Sequence, residues 1–239
     1  MKPKNFQPVR KVNNKSSKLY PHSKGSFFSF KMNKEIEYES LSECYFFFFL
    51  DLNPKVKKYF PQPMKINIPV KNHEQDFSVW EHVPDVLVYW TSLDKKPTIY
   101  QIKYEIDQND SKQKIANKYC EKYAQKNNYE YRVIEIISVD KTVMKNLKFL
   151  HSHLKERSYF KEIIPSILEL FAKHTSLTVE EVCEKLNHKY RDLFILPTVY
   201  YLLANNLLGT NINVELGLHS VLSKEKYEIK LEKGLALEE

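Results

Sequence analysis

Residues 40–52 read SLSECYFFFFLDL: a serine able to cap a helix, an apolar run, then Asn53-Pro54, where a helix stops. The pattern predicts one helix across them. Residues 64–70 alternate and are expected to form a strand. Residues 85–90, after Pro84, are β-branched and aromatic, and residues 99–104 alternate again. The polar stretch 91–96 between them predicts a hairpin. Asp110 can cap a helix running to residue 127, with Ile115, Tyr119 and Tyr123 four apart on one face. Residues 129–137 supply a further strand through Val133, Ile134, Ile136 and Ile137. Helix, three strands, helix, strand is the order of a mixed α/β unit.

Beyond Asp140 the pattern turns helical. Helices are expected over residues 141–157 and 159–174. Thr178-Val-Glu-Glu181 is a capping-box match that opens a short helix to residue 186. Another helix is expected over 192–206, where Asn205-Asn206 and Gly209 break it, followed by a β-like tail with Ile212, Val214 and Leu216. Helix, turn, helix, hairpin is the order of a winged helix. The chain therefore divides into a tail (1–24), an α/β domain (25–145) and a smaller, mainly helical winged-helix-like domain (146–239), with no internal repeat.

Composition narrows the functions this fold could carry. Among 239 residues, aromatics reach 13%, enough to bury a core and exclude global disorder, while glycines number only 4. Neither GxGxxG nor GxxxxGK[ST] occurs, which argues against a Rossmann cofactor or a P-loop nucleotide. Lys and Arg exceed Asp and Glu by 37 to 30, a charge that permits binding to nucleic acid or an anionic membrane without choosing between them. The first 34 residues contain no acid; they read either as a solvated tail or as an arm that follows a phosphate backbone. Three widely spaced cysteines (Cys44, Cys120, Cys183) and no CxxC fit a reducing cytoplasm and argue against structural zinc. The longest apolar run, Cys44 to Leu50, is too short to span a bilayer, and no signal-peptide pattern opens the chain.

Four polar residues form a candidate site. Glu43 lies near the start of the first helix, Asp85 opens the strand PDVLVYW, and Gln101 and Lys103 lie in IYQIKYE. Side chains two apart in a strand share a face, so Gln101 and Lys103 project together while Ile102 points to the core. The hairpin sets Asp85 on the neighbouring strand. An acid at one strand's start, a turn, then polar-x-Lys is the arrangement of PD-(D/E)xK nucleases, with Gln101 where the second acid usually stands. Phosphodiester hydrolysis needs charge neutralised on phosphorus and hydroxide supplied at neutral pH, and Mg²⁺ does both through hard oxygen ligands. Asp85 would be the central ligand, Gln101 an amide-oxygen donor and Glu43 a second carboxylate. Lys103 would hold the attacking water or stabilise developing charge. Plainer readings stand beside these. Ser40-x-x-Glu43 is itself a capping-box pattern, yet Glu43 shares a face with Phe46, Phe47 and Leu50. Asp85 could be a turn acid, and Gln101 and Lys103 a solvated strand face.

The surrounding residues resemble a known family. The stretch GSFFSFKMNKEIEYESLSECYFFFFLDLNPKVKKYFPQP, residues 25–63, resembles the N-terminal domain of the TnsA family, the endonuclease subunits of heteromeric cut-and-paste transposases. The likeness rests on Ser29-x-Lys31, Tyr38-Glu39-Ser40 with Glu43 three later, the Leu50–Val56 turn and Gln62-Pro63. His82-Val-Pro-Asp85 and Gln101-Ile-Lys103 match the remaining catalytic blocks, and a Gln before x-Lys is a trait of the family. The likeness covers residues 25–137, and more weakly the winged-helix architecture beyond. It implies a restriction-endonuclease-like mixed sheet flanked by helices. It also implies nicking at the 5′ ends of a transposon by Glu43, Asp85, Gln101 and Lys103 with Mg²⁺, for which Mn²⁺ substitutes. Glu39 competes with Glu43, and spacing favours Glu43. Implied partners are double-stranded DNA at transposon ends, a DDE transposase, and an AAA+ regulator ATPase docking on the C-terminal domain, with no membrane.

Residues 192–206 contain no Lys or Arg, so this helix is a poor reader of bases. It reads as core, or as a face for a protein partner with Tyr201 among its exposed members. His151 and His153 stand two apart, as a metal pair could, without an acid or cysteine beside them. Two other functions share the pattern: a stand-alone restriction-like nuclease or junction resolvase, active without a transposase, and a non-catalytic DNA-binding adaptor. Retention of all four site residues argues against the adaptor.

Overall fold

The computed structural model describes residues 6–9, 24–71, 77–107, 109–136 and 140–225. Most of the basic tail expected over 1–24, and Ile137 of the last expected strand, lie outside them. The chain forms two compact units, one of residues 1–46, 55–138 and 231–239, the other of 47–54 and 139–230.

The first unit is built on a four-stranded sheet. Its strands are β3 (Val56–Pro61), β6 (Val86–Trp90), β7 (Thr98–Lys103) and β8 (Glu130–Glu135), in the order β3-β6-β7-β8. β3 and β7 run antiparallel to β6, while β8 runs parallel to β7, so the sheet is mixed. The expected hairpin forms, with Val86 opposite Tyr100 and Leu87 opposite Ile99. A parallel pair needs a crossover, and helix α2 (Ser111–Lys126) supplies it. Asp110 caps α2, its side chain accepting from Gln113 N. The helix buries Ala116, Cys120 and Ala124, one position round from the face expected to be Ile115, Tyr119 and Tyr123. Small side chains let the helix lie close on the sheet, where Cys120 and Ala124 meet Phe60, Leu87, Tyr89 and Ile99. Ile115 is left exposed.

Helix α1 (Leu41–Leu52) has residues 41–46 in the first unit and 47–52 in the second. Phe46, fully buried, meets the ring of Tyr100 edge-on at 5.2 Å, on the sheet face opposite Ile99 and Gln101. Two hairpins complete the unit: β1 (Gly25–Ser29) with β2 (Lys34–Tyr38), and β4 (Ile66–Lys71) with β5 (Phe77–His82). Of their strands the sequence pattern predicts only β4. β1 and β5 space their hydroxyl or charged residues three apart (Ser26 and Ser29, Ser78 and Glu81), which breaks the alternation a strand shows, and three of the five residues of β2 are charged.

The second unit holds helices α3 (Lys141–Ser152), α4 (Phe160–Lys173), α5 (Val179–Leu186) and α6 (Asp192–Ala204). Short strands β9 (Ser176–Thr178), β10 (Gly209–Thr210) and β11 (Val221–Ser223) form an antiparallel sheet in the order β10-β11-β9. The capping box is present at α5, with Thr178 accepting from Glu181 N and the Glu181 carboxylate accepting from Thr178 N. The tail with Ile212, Val214 and Leu216 is not a strand. Instead the buried Asn146 amide donates to Ile212 O at 2.8 Å and Val214 O at 2.7 Å, and accepts from Leu216 N at 3.1 Å. One side chain replaces a ladder, so the strands fall on either side of this segment.

The two histidines do not form a metal pair. His151, buried, has Nε2 2.8 Å from Asp51 Oδ2 and its ring edge-on to Phe48. His153 Nδ1 is 2.9 Å from Phe149 O, with the rings of Phe149 and Tyr200 at 4.6 and 5.2 Å. Burial pushes the His153 pKa below its usual value; the Phe149 carbonyl opposes this and the charge of Arg157 adds to it. A histidine with a depressed folded pKa binds its proton less readily than the unfolded chain does. Its contribution to stability is present above its unfolded pKa of about 6.5 and is lost as pH falls below it. Urea midpoints of the wild type should therefore fall between pH 7 and pH 5, and His153→Gln should flatten that dependence. Identical slopes would show that His153 does not contribute.

Candidate active site

β6 and β7 diverge just beyond the Val86–Tyr100 pair, and Asp85 sits in the opening. Its Oδ2 accepts two hydrogen bonds, from Gln101 Nε2 at 2.5 Å and from the backbone N–H of Ile102 at 2.6 Å. Gln101 is 5% exposed, so its amide needs partners, and its oxygen finds one in His82 Nε2 at 3.1 Å. The amide oxygen accepts, so the proton of His82 is on Nε2. The structure thus joins Asp85, Gln101 and His82 in a line. Burial lowers the pKa of His82; the bond to Gln101 opposes this and the charge of Lys103 adds to it.

Lys103 is at the end of β7, two residues from Gln101 and on the same face. Its carbonyl accepts from Ile136 N at 2.7 Å, and Ile136 O accepts from Ser42 Oγ at 3.3 Å. These two bonds bring the start of α1, and Glu43 with it, to the end of the sheet where Lys103 stands. The Glu43 carboxylate accepts from Glu39 N at 2.9 Å and from Ser40 Oγ at 3.4 Å, while Glu43 N donates to Ser40 Oγ at 3.1 Å. Glu43 therefore closes the first turn of its helix. Glu39 takes part through its backbone N–H.

Two contributors, His82 and Gln62, stand in the sequence as part of the family likeness, but apolar and polar periodicity gives neither of them a role. His82 lies three residues before Asp85 and acts through Gln101. Gln62 has φ 44°, a left-handed conformation that costs a residue other than glycine about 1–3 kcal/mol. In that conformation Gln62 N donates to Asp85 O at 2.8 Å, and Gln62 O accepts from Val9 N at 3.1 Å. The backbone of Asp85 is thus fixed from β3 while its side chain is fixed from β7. No pattern of apolar and polar residues carries such information.

The field of Asp85 extends beyond these bonds. Burial pushes the Cys120 thiol up to about 12, and the negative charge of Asp85 adds to the rise. Tyr131 is raised for the same two reasons, with Cys120 also contributing. Cys120, Tyr131 and Asp85 thus share one poorly solvated region under α2.

Among the described residues no three of His, Cys, Asp and Glu gather into a metal site. The side chains of Asp85 and Glu43 carry oxygens of the hard kind that suits Mg²⁺ or Mn²⁺ rather than a soft metal, while the oxygen of the Gln101 amide is turned to His82 and its N–H to Asp85.

Residues 138–212 match the family model of the TnsA endonuclease C terminal. No curated protein matches the chain in sequence. The match covers about a third of the chain; that part is similar to the C-terminal domain of TnsA endonucleases, which suggests a nuclease subunit of a Tn7-like transposase. That family implies DNA and a transposase as partners. The mixed sheet with its flanking helices agrees with a restriction-endonuclease-like α/β fold. No described helix is long and apolar enough to cross a membrane.

Gln101→Glu puts a second carboxylate where an N–H now donates to Asp85. Two close carboxylates resist double ionisation, so the folded pair should hold a proton more tightly than the unfolded chain. The variant should melt lower than the wild type at pH 7, by about 1–3 kcal/mol in stability, and recover as pH falls to 5. A deficit that is the same at both pH values would mean that the two side chains do not meet.

Proposed function

We propose that this chain is a Mg²⁺-dependent DNA endonuclease of the PD-(D/E)xK type that hydrolyses phosphodiester bonds at the 5′ ends of a transposon during cut-and-paste transposition. The observation that carries the proposal is the direct bond between Asp85 and Gln101 on adjacent strands, with Lys103 following on the same face. Asp85 would be the central ligand, and Glu43 and Gln101 would complete the oxygen set, the Gln101 amide turning its oxygen from His82 towards the ion. Bound Mg²⁺ supplies a hydroxide at neutral pH and neutralises charge on phosphorus. Ile102 N–H and His82 keep Asp85 and Gln101 oriented. Lys103 offers its ammonium to the attacking water or to the oxygen that gains charge. Glu43 would hold the ion by exchanging its helix-capping bonds for it, one set of charge-assisted bonds for another.

In this reading residues 25–145 are the nuclease domain and residues 146–239 a winged helix. The succession α4, β9, α5, α6, β10, β11 with its three-stranded sheet supports the second. A DDE transposase cuts and joins the 3′ ends. An AAA+ regulator docks on the C-terminal domain through α6, at Leu193, which is 69% exposed, rather than at Tyr201, whose ring lies 4.6 Å from that of Phe160. Buried cysteines that form no disulfide favour the cytoplasm.

Titration of Mn²⁺ by calorimetry into wild type and Asp85→Ala tests the site. The wild type should bind and the variant should not, and strand-specific nicking of transposon ends with the transposase present should drop at least about 10³-fold, the scale of losing one transition-state partner. Equal binding by both proteins would remove Asp85 from the site.

A further inference from the structure

Helix α2 has an unusual outer face. Lys114, Lys118, Lys122 and Lys126 recur every four residues, and all four are exposed. At a rise of about 1.5 Å per residue they form a row about 18 Å long, one charge every 6 Å or so. The row lies opposite Ala116, Cys120 and Ala124, the residues that hold the helix on the sheet.

Helix stability does not account for this pattern. Like charges four apart repel one another, and the row contains three such pairs. The first turn holds no acid, and Lys112 and Lys114 stand there against the positive end of the helix dipole. Glu121 is the single acid of the helix. None of the four lysines takes part in a described ion pair, whereas Lys65, Lys145 and Lys173 all do. The helix keeps a repulsive row where alternating glutamates would have given salt bridges.

We propose that this row is a binding surface for the phosphate backbone of duplex DNA. The inference rests on the nuclease reading and deepens it by naming where the substrate is gripped. Because α2 is the crossover between parallel strands, it runs back against them. Its N-terminal end, with Lys114, is at the end of the sheet where Lys103 stands, and the row leads away from there. Charges about 6 Å apart match roughly every second phosphate, whose rise along one strand is about 3.4 Å per nucleotide. Lysines suit this task, since each is a flexible point charge that needs no fixed geometry from its partner.

Other anionic partners fit less well. A helix that lies on a membrane needs an apolar face to bury among lipids, and the apolar face of α2 is already spent on the sheet. A protein interface centres on packed Trp, Tyr or Arg anchors, and the row contains no arginine.

The test is fluorescence anisotropy on the full chain with a labelled duplex, across a series of salt concentrations. Lys114→Gln, Lys118→Gln, Lys122→Gln and Lys126→Gln are combined in one protein. A control combines Lys141→Gln, Lys148→Gln, Lys161→Gln and Lys185→Gln, which removes the same charge elsewhere. The α2 variant should bind on the order of 10–100-fold more weakly, and its log–log salt slope should shrink by about 3 to 4, near 0.9 for each phosphate no longer neutralised. It should melt no lower than the wild type, because repulsion has been removed. The control should change both quantities much less. Equal losses in the two variants, an unchanged α2 variant, or a wild type that binds phosphatidylserine vesicles and not DNA would each overturn the proposal. The metal titration with Asp85→Ala decides the nuclease reading independently of every one of these outcomes.

Discussion

The carboxylate of Asp85 is held at one oxygen by a side-chain amide and a backbone amide of the next strand, and the local architecture follows from that. A half-buried carboxylate gains from donors, and β7 offers them only in one register, with Val86 opposite Tyr100. A slip by one residue would turn Gln101 to the face covered by Phe46 and bring Ile102 beneath α2. The register, the two faces of the sheet and the placement of Lys103 are therefore one decision. Gln62 makes the same decision from the other side by fixing the Asp85 carbonyl.

Much of this is legible in the residues. The β6–β7 hairpin, the cap at Asp110, the capping box at Thr178 and the grouping of Asp85 with Gln101 all follow from local chemistry acting over short spans. What escapes depends on distant partners. The largest apolar residues of α2 point to one buried face, but the sheet accepts small ones there, so Ala116, Cys120 and Ala124 go inside and Ile115 stays out. The segment around Val214 looks like a strand and is instead held by Asn146, nearly seventy residues earlier in the chain. His82 acts on Asp85 only through Gln101, an arrangement that spacing along the chain cannot reveal.

Two readings of Glu43 stand side by side, and the structure displays one of them. Its spacing from Ser40 suggests a helix cap, and its place on the apolar face suggests a further purpose. In the structure it caps the helix, and the cap itself stands beside the end of β7. A carboxylate already bound to donors is held in one orientation at the start of its helix.

All three cysteines are buried and none forms a disulfide, and burial pushes the thiols of Cys120 and Cys183 up to about 12 and about 11. Thiolate, not thiol, reacts with maleimides and disulfides. At neutral pH Cys120 and Cys183 stay thiols, and burial shields all three cysteines from such reagents in the native protein. A cysteine introduced on an exposed position can carry a fluorophore or cross-linker without first stripping the natural ones, so labelled forms can be made in the unaltered background.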